Sequence, residues 1–102
     1  MPLPKITHLQ FAVLSALLER DMYGKELRAH LKKKGCPKSL ASFYQLMARL
    51  EDSSFVRGEY EEVVIDGQMI RQRKYTLIGE GRRVVQEAVL FYQKGGASYG
   101  FA

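Results

Sequence analysis

The chain has 102 residues, enough for one hydrophobic core and too few for two, so a function needing a second domain must draw it from another copy or another protein. With 46% hydrophobic and 26% charged residues it has the composition of a folded globular domain, which excludes a wholly disordered chain. The formal charge of +5 and pI near 9.5 favour a polyanionic partner over an acidic surface's partners.

No apolar run approaches the ~20 residues that a membrane-crossing helix needs, and Met1-Pro2-Leu3-Pro4-Lys5 lacks the apolar core of a signal peptide. The expected location is cytoplasmic, with no membrane partner. A single cysteine, Cys36, suits a reducing compartment and reads first as a small apolar residue after a helix, with a redox-sensing thiol as the alternative.

Thr7-His8-Leu9-Gln10 fits a capping box, so a first helix is expected from His8. Leu9, Val13, Ala16 and Leu17 keep helical spacing, and Phe11, Leu14 and Leu18 widen the stripe until the helix needs cover on a second side, from the C-terminal helix or another subunit. Asp21-Met22-Tyr23-Gly24 breaks the pattern. A second, strongly basic helix is expected from Gly24 to Lys34, burying Leu27 and Leu31 and ended by Gly35 and Pro37; Tyr23 shares its face with those leucines and is a core candidate.

Ser39 is a suitable N-cap for a third helix, Leu40 to Leu50, whose Leu40, Phe43, Met47 and Leu50 face inward. Its opposite face carries Ala41, Ser42, Gln45, Ala48 and Arg49, mostly short or hydrogen-bonding residues where a solvated helix would carry Glu and Lys. After Asp52-Ser53-Ser54 the pattern alternates as two strands joined at Asp66-Gly67. A type I′ turn there sets Glu62 opposite Arg71, Glu59 opposite Lys74 and Tyr60 opposite Arg73, which leaves Arg73 as the freest cation of the hairpin.

The last helix, Glu80 to Gln93, presents Val84, Val85, Ala88, Val89, Leu90, Phe91 and Tyr92, more apolar surface than one core-facing stripe requires. A homodimer through this helix, with the first helix contributing, covers the excess; the interface candidates are Phe11, Val85, Val89, Phe91 and Tyr92. The same apolar and aromatic surface is also where a small apolar effector would bind, although dimer packing alone accounts for it. Gly95 onward has linker composition and is expected to be disordered.

Charge is segregated along the chain. Residues 25–49 carry net +6, residues 51–66 net −5 and residues 71–83 net +4. Two basic blocks flanking an acidic one can converge on one phosphate-neutralising surface. The expected architecture is therefore mainly α with a small β-hairpin, a winged helix-turn-helix with an additional C-terminal dimerisation helix. Its divisions are residues 1–78 for DNA binding, 79–94 for dimerisation and 95–102 for the tail.

Ser39, Ser42 and Gln45, in the first half of the third helix, are the candidates for base-edge contacts, since they donate and accept hydrogen bonds and Gln pairs bidentately with adenine. Lys25, Arg28, Lys38, Arg49, Arg73 and Lys74 are the candidates for phosphate contacts. His8 and His30 lie on different helices without metal-ligand spacing, and Gly79-Glu80-Gly81 has no phosphate-loop context, so neither an enzyme nor a metal or other cofactor is expected.

Val13-Leu14-Ser15-Ala16-Leu17, Tyr23-Gly24-Lys25-Glu26-Leu27, Phe43-Tyr44-Gln45-Leu46-Met47-Ala48-Arg49-Leu50-Glu51 and Arg73-Lys74-Tyr75-Thr76-Leu77 with Gly81 resemble, in order and spacing, the PadR-like family of transcriptional regulators over residues 6–92. The resemblance implies a winged-helix dimer that binds a palindromic double-stranded DNA site and represses transcription, with release by a small molecule in some members. It also implies that Tyr44 lies near the phosphate backbone and that the wing meets a neighbouring groove or phosphates. The short C-terminal region is similar to the smaller branch of the family, in which one helix makes the dimer.

Three positions depart from the family pattern. Ser54 stands where glycine is usual, Ile78-Gly79 where Thr-Pro is usual, and Lys74-Tyr75 where a tyrosine pair is usual. They bear on local geometry more than on the groove-facing side of the third helix. A winged helix serving only as a protein-interaction module, without sequence-specific DNA binding, is the alternative that fold alone does not exclude.

Overall fold

Helix α1 (His8–Glu19) begins where Thr7 closes the expected capping box: the Gln10 backbone N–H donates to Thr7 Oγ1 at 3.1 Å, and the Thr7 N–H donates to Gln10 Oε1 at 3.1 Å. The computed structural model describes residues 6–94, so the linker-like tail lies outside the described residues. Val13, Leu14, Ala16 and Leu17 are buried, and α1 is covered by α2 (Gly24–Lys33), by the sheet and by the C-terminal helix α4 (Gly79–Lys94). Cover for its second side thus comes from within the chain.

The break between α1 and α2 contains an element too short for alternation to reveal, the two-residue strand β1 (Met22–Tyr23). It pairs antiparallel with β3 (Gln68–Leu77), which in turn pairs with β2 (Val56–Ile65), giving the order β1-β3-β2 and a three-stranded sheet instead of a lone hairpin. Asp66 and Gly67 have φ of 51° and 77°, as a type I′ turn requires, and Glu62↔Arg71, Glu59↔Lys74 and Tyr60↔Arg73 face one another as the turn dictates. Tyr23 is half-exposed instead of core, because pairing with β3 turns its hydroxyl outward to donate to Glu61 Oε1 at 2.9 Å.

Both α2 and α3 (Leu40–Asp52) end in left-handed residues that let the following N–H reach back five residues. After α2, Gly35 has φ 81° and the Cys36 N–H donates to the Leu31 carbonyl at 2.8 Å; Cys36 is partly buried against the core, the place of a small apolar residue. After α3, Ser54 adopts φ 60° and the Phe55 N–H donates to the Leu50 carbonyl at 3.0 Å. Serine therefore keeps the turn that glycine would make, at the cost of a crowded left-handed backbone.

Phe43, Met47 and Leu50 are fully buried along α3, but Leu40 is 50% exposed, contrary to the expected stripe. Leu40 is the first residue after the Ser39 cap, and the core ends one turn further in; Leu46 fills the flank of the stripe instead. Val85 is also corrected. It is completely enclosed within the chain as part of the central cluster, so it has no surface left for a partner.

Helix α4 starts against the backbone of Phe55. The Ile78 N–H donates to the Phe55 carbonyl at 3.1 Å, and a Cβ on Gly81 would lie 2.0 Å from that same oxygen. Glycine is needed there because backbone cannot move aside as a flexible side chain can. Gly81→Ala is expected to destabilise the fold by roughly 1–3 kcal/mol through overpacking, whereas Gly79→Ala, with open space around it, is expected to be neutral or stabilising by up to ~1 kcal/mol. Denaturant midpoints of the two variants check the contrast.

Candidate nucleic-acid interface

Inward anchoring of Phe43, Met47 and Leu50 turns Ala41, Ser42, Tyr44, Gln45, Ala48 and Arg49 outward, and all six are exposed. The Ser39 hydroxyl accepts the Ser42 N–H at 3.1 Å, which occupies one lone pair and leaves its proton available to donate. Nothing among the described residues covers this face.

Three concavities adjoin it. One of about 430 Å³ runs between α3 and the start of α1 and is lined by Gln10, Lys38, Ser42, Gln45 and Arg49 among others. A second, of about 190 Å³, lies between α2 and the turn before α3, lined by Lys25, Arg28, Lys32 and Lys38. The third, of about 170 Å³, separates α3 from the wing and is lined by Lys25, Tyr44, Tyr60, Arg71, Gln72 and Arg73. Lys38 belongs to the first two and Lys25 to the last two, so the three form one continuous surface. Ser42, Gln45, Lys38, Arg49, Lys25 and Tyr44 are brought together on it.

The cations differ in what they are committed to. Lys25, Lys38, Arg49 and Arg71 are exposed and make no ion pair among the described residues. Arg28 is partly buried, with Nη2 donating to the Lys38 carbonyl at 3.3 Å and Nε enclosed without a partner, so it ties α2 to the approach to α3. Lys74 pairs with Glu61 at 3.6 Å, not with Glu59 directly opposite, because Glu59 is taken by Arg57 at 2.8 Å.

Arg73 departs most from expectation. Its Nη2 donates to Glu51 Oε1 at 2.5 Å, and its side chain is only 25% exposed, so it is the most committed cation of the wing and not the freest. Desolvation works against its charge, but the hydrogen bond and attraction of Glu51 outweigh it and hold the guanidinium above its ordinary value. The residue that the sequence reading undervalued is Arg71. Glu62 faces it across the strands, yet the Arg71 guanidinium lies over the Tyr60 ring at 4.2 Å, where it remains open to an outside anion.

Strand alternation separates the wing's two faces. Gly58, Tyr60, Arg71, Arg73 and Tyr75 share the face toward α3, while Glu59, Glu61 and Lys74 share the other. Two of the acidic residues of residues 51–66 are thereby turned from the basic surface. Arg71, four pairs from the turn, is the outermost of the wing's cations; the tip beyond it carries Val64 and Met69, 67% and 65% exposed.

No family model matches the sequence, and no curated protein matches it. Solved structures do match in fold. A PadR family transcriptional regulator from Eggerthella lenta DSM 2243 is 28% identical, with a TM-score of 0.69 over 90% of this chain and 78% of that one. A PadR family transcription regulator from Clostridium difficile R20291 superposes at a TM-score of 0.73, at 18% identity, over 90% of this chain and 94% of the other. The chain has a winged-helix fold similar to that of these PadR family regulators.

The Bacillus subtilis PadR in complex with operator DNA also matches, with 18% identity and a TM-score of 0.68 over 82% of this chain and 49% of that longer one. In this PadR-like fold α3 is the helix before the wing, and its outer face is the one described above. No helix among the described residues is long and apolar enough to cross a membrane. His8, His30 and Cys36 line a common groove of about 360 Å³ between α1 and α2, but no group of three ligating side chains able to hold a metal ion occurs among the described residues.

Tyr75 marks the base of the site. Burial, and then the nearby Glu51 carboxylate, push its phenol up to about 12, and a raised value means that the folded state holds the proton longer than the unfolded chain does. The contribution is complete below the ordinary value of 10.0 and is lost as pH rises toward about 12. Stability is therefore expected to fall across that window, and Tyr75→Phe to flatten the fall; chemical denaturation at stepped pH compares the two slopes.

Proposed function

We propose that this protein is a sequence-specific DNA-binding transcriptional regulator that acts as a homodimer on an inverted-repeat operator and represses. The observation that carries the reading is the uncovered face of α3, with Ser42 and Gln45 set between Lys38 and Arg49 on one side and Lys25 and Arg71 on the other. Short hydrogen-bonding side chains suit base edges in a major groove, and flanking unpaired cations suit the phosphates on either side. The Eggerthella lenta relative, described as a transcriptional regulator, and the operator complex of Bacillus subtilis PadR support the same assignment.

Ser39, Ser42 and Gln45 read bases in this proposal. Lys25, Lys38, Tyr44, Arg49 and Arg71 hold the backbone, with Arg28 and Lys74 in supporting contacts. Dimerisation falls to α4, where Leu90 is 50% exposed and Val89, Phe91 and Tyr92 are partly exposed, with Phe11 packed edge-on to Tyr92 at 5.1 Å. A second copy covering that apolar strip supplies the two-fold symmetry of an inverted repeat. Release by a small apolar effector remains part of the proposal, with the groove beside Phe11 as its binding volume. The role is a cytoplasmic one and assigns no catalytic group.

The apolar wing tip favours a second reading, a protein-interaction module, because Val64 and Met69 offer a partner protein more than they offer phosphate. Selection of bound duplexes from a random pool separates the readings. An inverted repeat is expected, with log K falling steeply with log salt. Gln45→Ala should cost roughly 1–3 kcal/mol at one base position per half-site, and Lys38→Ala should weaken all sequences alike and reduce the salt slope by about 0.9 per half-site. Recovery of no sequence and no affinity at low salt would overturn the reading in favour of the protein-interaction module.

A further inference from the structure

Two residues beside the interface are locally unfavourable. Glu51 places a negative charge in the last turn of α3, where the helix dipole disfavours it. Gly58 is the third residue of β2, and glycine inside a strand weakens it unless another group must approach closely.

One ion pair accounts for both. Glu51 and Arg73 meet over the bare backbone of Gly58, where an added Cβ would lie 2.6 Å from Glu51 Oε1 and 2.7 Å and 2.8 Å from Arg73 Nε and Nη2. The Arg73 guanidinium is also held over the rings of Tyr60, at 4.8 Å, and Tyr75, at 5.8 Å. Glu51 belongs to α3 and Arg73 to β3, so the contact spans the two elements that carry the proposed base-reading and phosphate-holding groups.

We propose that the Glu51–Arg73 pair is a positioning strut that sets the wing against the third helix, so that Arg73 serves DNA recognition through Glu51 and touches no phosphate itself. The inference rests on the DNA-binding reading. Strands of ten residues extend roughly 33 Å, so a tilt of about 10° at the root carries the tip roughly 6 Å and Arg71 about 3 Å. A small loss of angle at Gly58 is therefore enough to misplace the wing's open cation.

The sign of one substitution separates the strut from plain electrostatics. Glu51→Gln removes a negative charge next to a basic surface, which alone tightens DNA binding, whereas loss of a strut weakens it. Binding to the selected duplex is measured across salt for the wild type, Glu51→Gln, Arg73→Gln, the double variant and Arg73→Lys. About a tenfold weakening is expected for each glutamine variant, with the double variant no weaker than the worse single one and Arg73→Lys intermediate. The salt slope of Arg73→Gln is expected to match the wild type.

Gly58→Ala keeps both charges and displaces only the pair; it is expected to weaken binding with the slope unchanged, and wing amide exchange checks that the sheet remains formed in every variant. Tighter or unchanged binding by Glu51→Gln would overturn the proposal. So would a slope lowered by about 0.9 per half-site in Arg73→Gln, the mark of a lost phosphate contact. A wild type that binds no duplex would instead sink the DNA-binding reading, and the strut's role with it.

Discussion

The packing of Phe43 against Tyr75 is the contact on which the rest of the molecule depends. Phe43 comes from the N-terminal part of α3 and Tyr75 from the central strand, both are buried, and their rings meet edge-on at 6.2 Å and 81°. The first turn of α2 passes beside both rings at Gly24, where an added Cβ would come within van der Waals distance of each. Three parts of the candidate interface are thus joined at one apolar junction. Truncating either ring to alanine removes roughly 3–5 kcal/mol, a large share of the ~5–15 kcal/mol that stabilises a domain of this kind. Placement of the polar face on α3 follows from this anchoring, since a helix held by residues 43, 47 and 50 has no choice about where 42, 45 and 49 point.

Around that junction the charged residues divide by task. Arg73, Arg28 and Lys74 are drawn into contacts within the chain, and Arg83 is bracketed on α4 by Glu80 and Glu87. Lys25, Lys38, Arg49 and Arg71 are left to meet something outside. The net charge of the chain hides this division, because a cation paired with a carboxylate and one facing open solvent count the same. Exposed pairs such as Arg57–Glu59 contribute little to stability, typically ~0–1 kcal/mol, so the value of Arg73–Glu51 lies in the direction it imposes on the wing more than in strength.

Features decided within a few residues were legible in the sequence. Thr7 and Gln10, the Ser39 cap, the Gly35 stop and the Asp66-Gly67 turn all act on their immediate neighbours, and the turn alone carried the register of the whole hairpin. Features decided by packing between distant elements were not. Leu40 had the right spacing for the core but sits above its end; Val85 belonged to an apolar run whose inner and outer members only the packing of α4 separates; β1 is too short to carry a pattern. Arg73 was misjudged for the same reason, since its partner is 22 residues away on another element. A glycine within β2 and a glutamate at the end of α3 were the available signals, and each looked incidental without the other.

The central claim is that α3, with Lys25 and Arg71 beside it, faces DNA. Amide chemical-shift changes on titrating the selected duplex into the labelled protein test it most directly. The account predicts that the large changes fall on residues 39–49, at Lys25 and along the Arg71 side of the wing, with little at Val64, Met69 or the Val89–Phe91 strip. Changes confined to the wing tip or to α4, with α3 undisturbed, would contradict it.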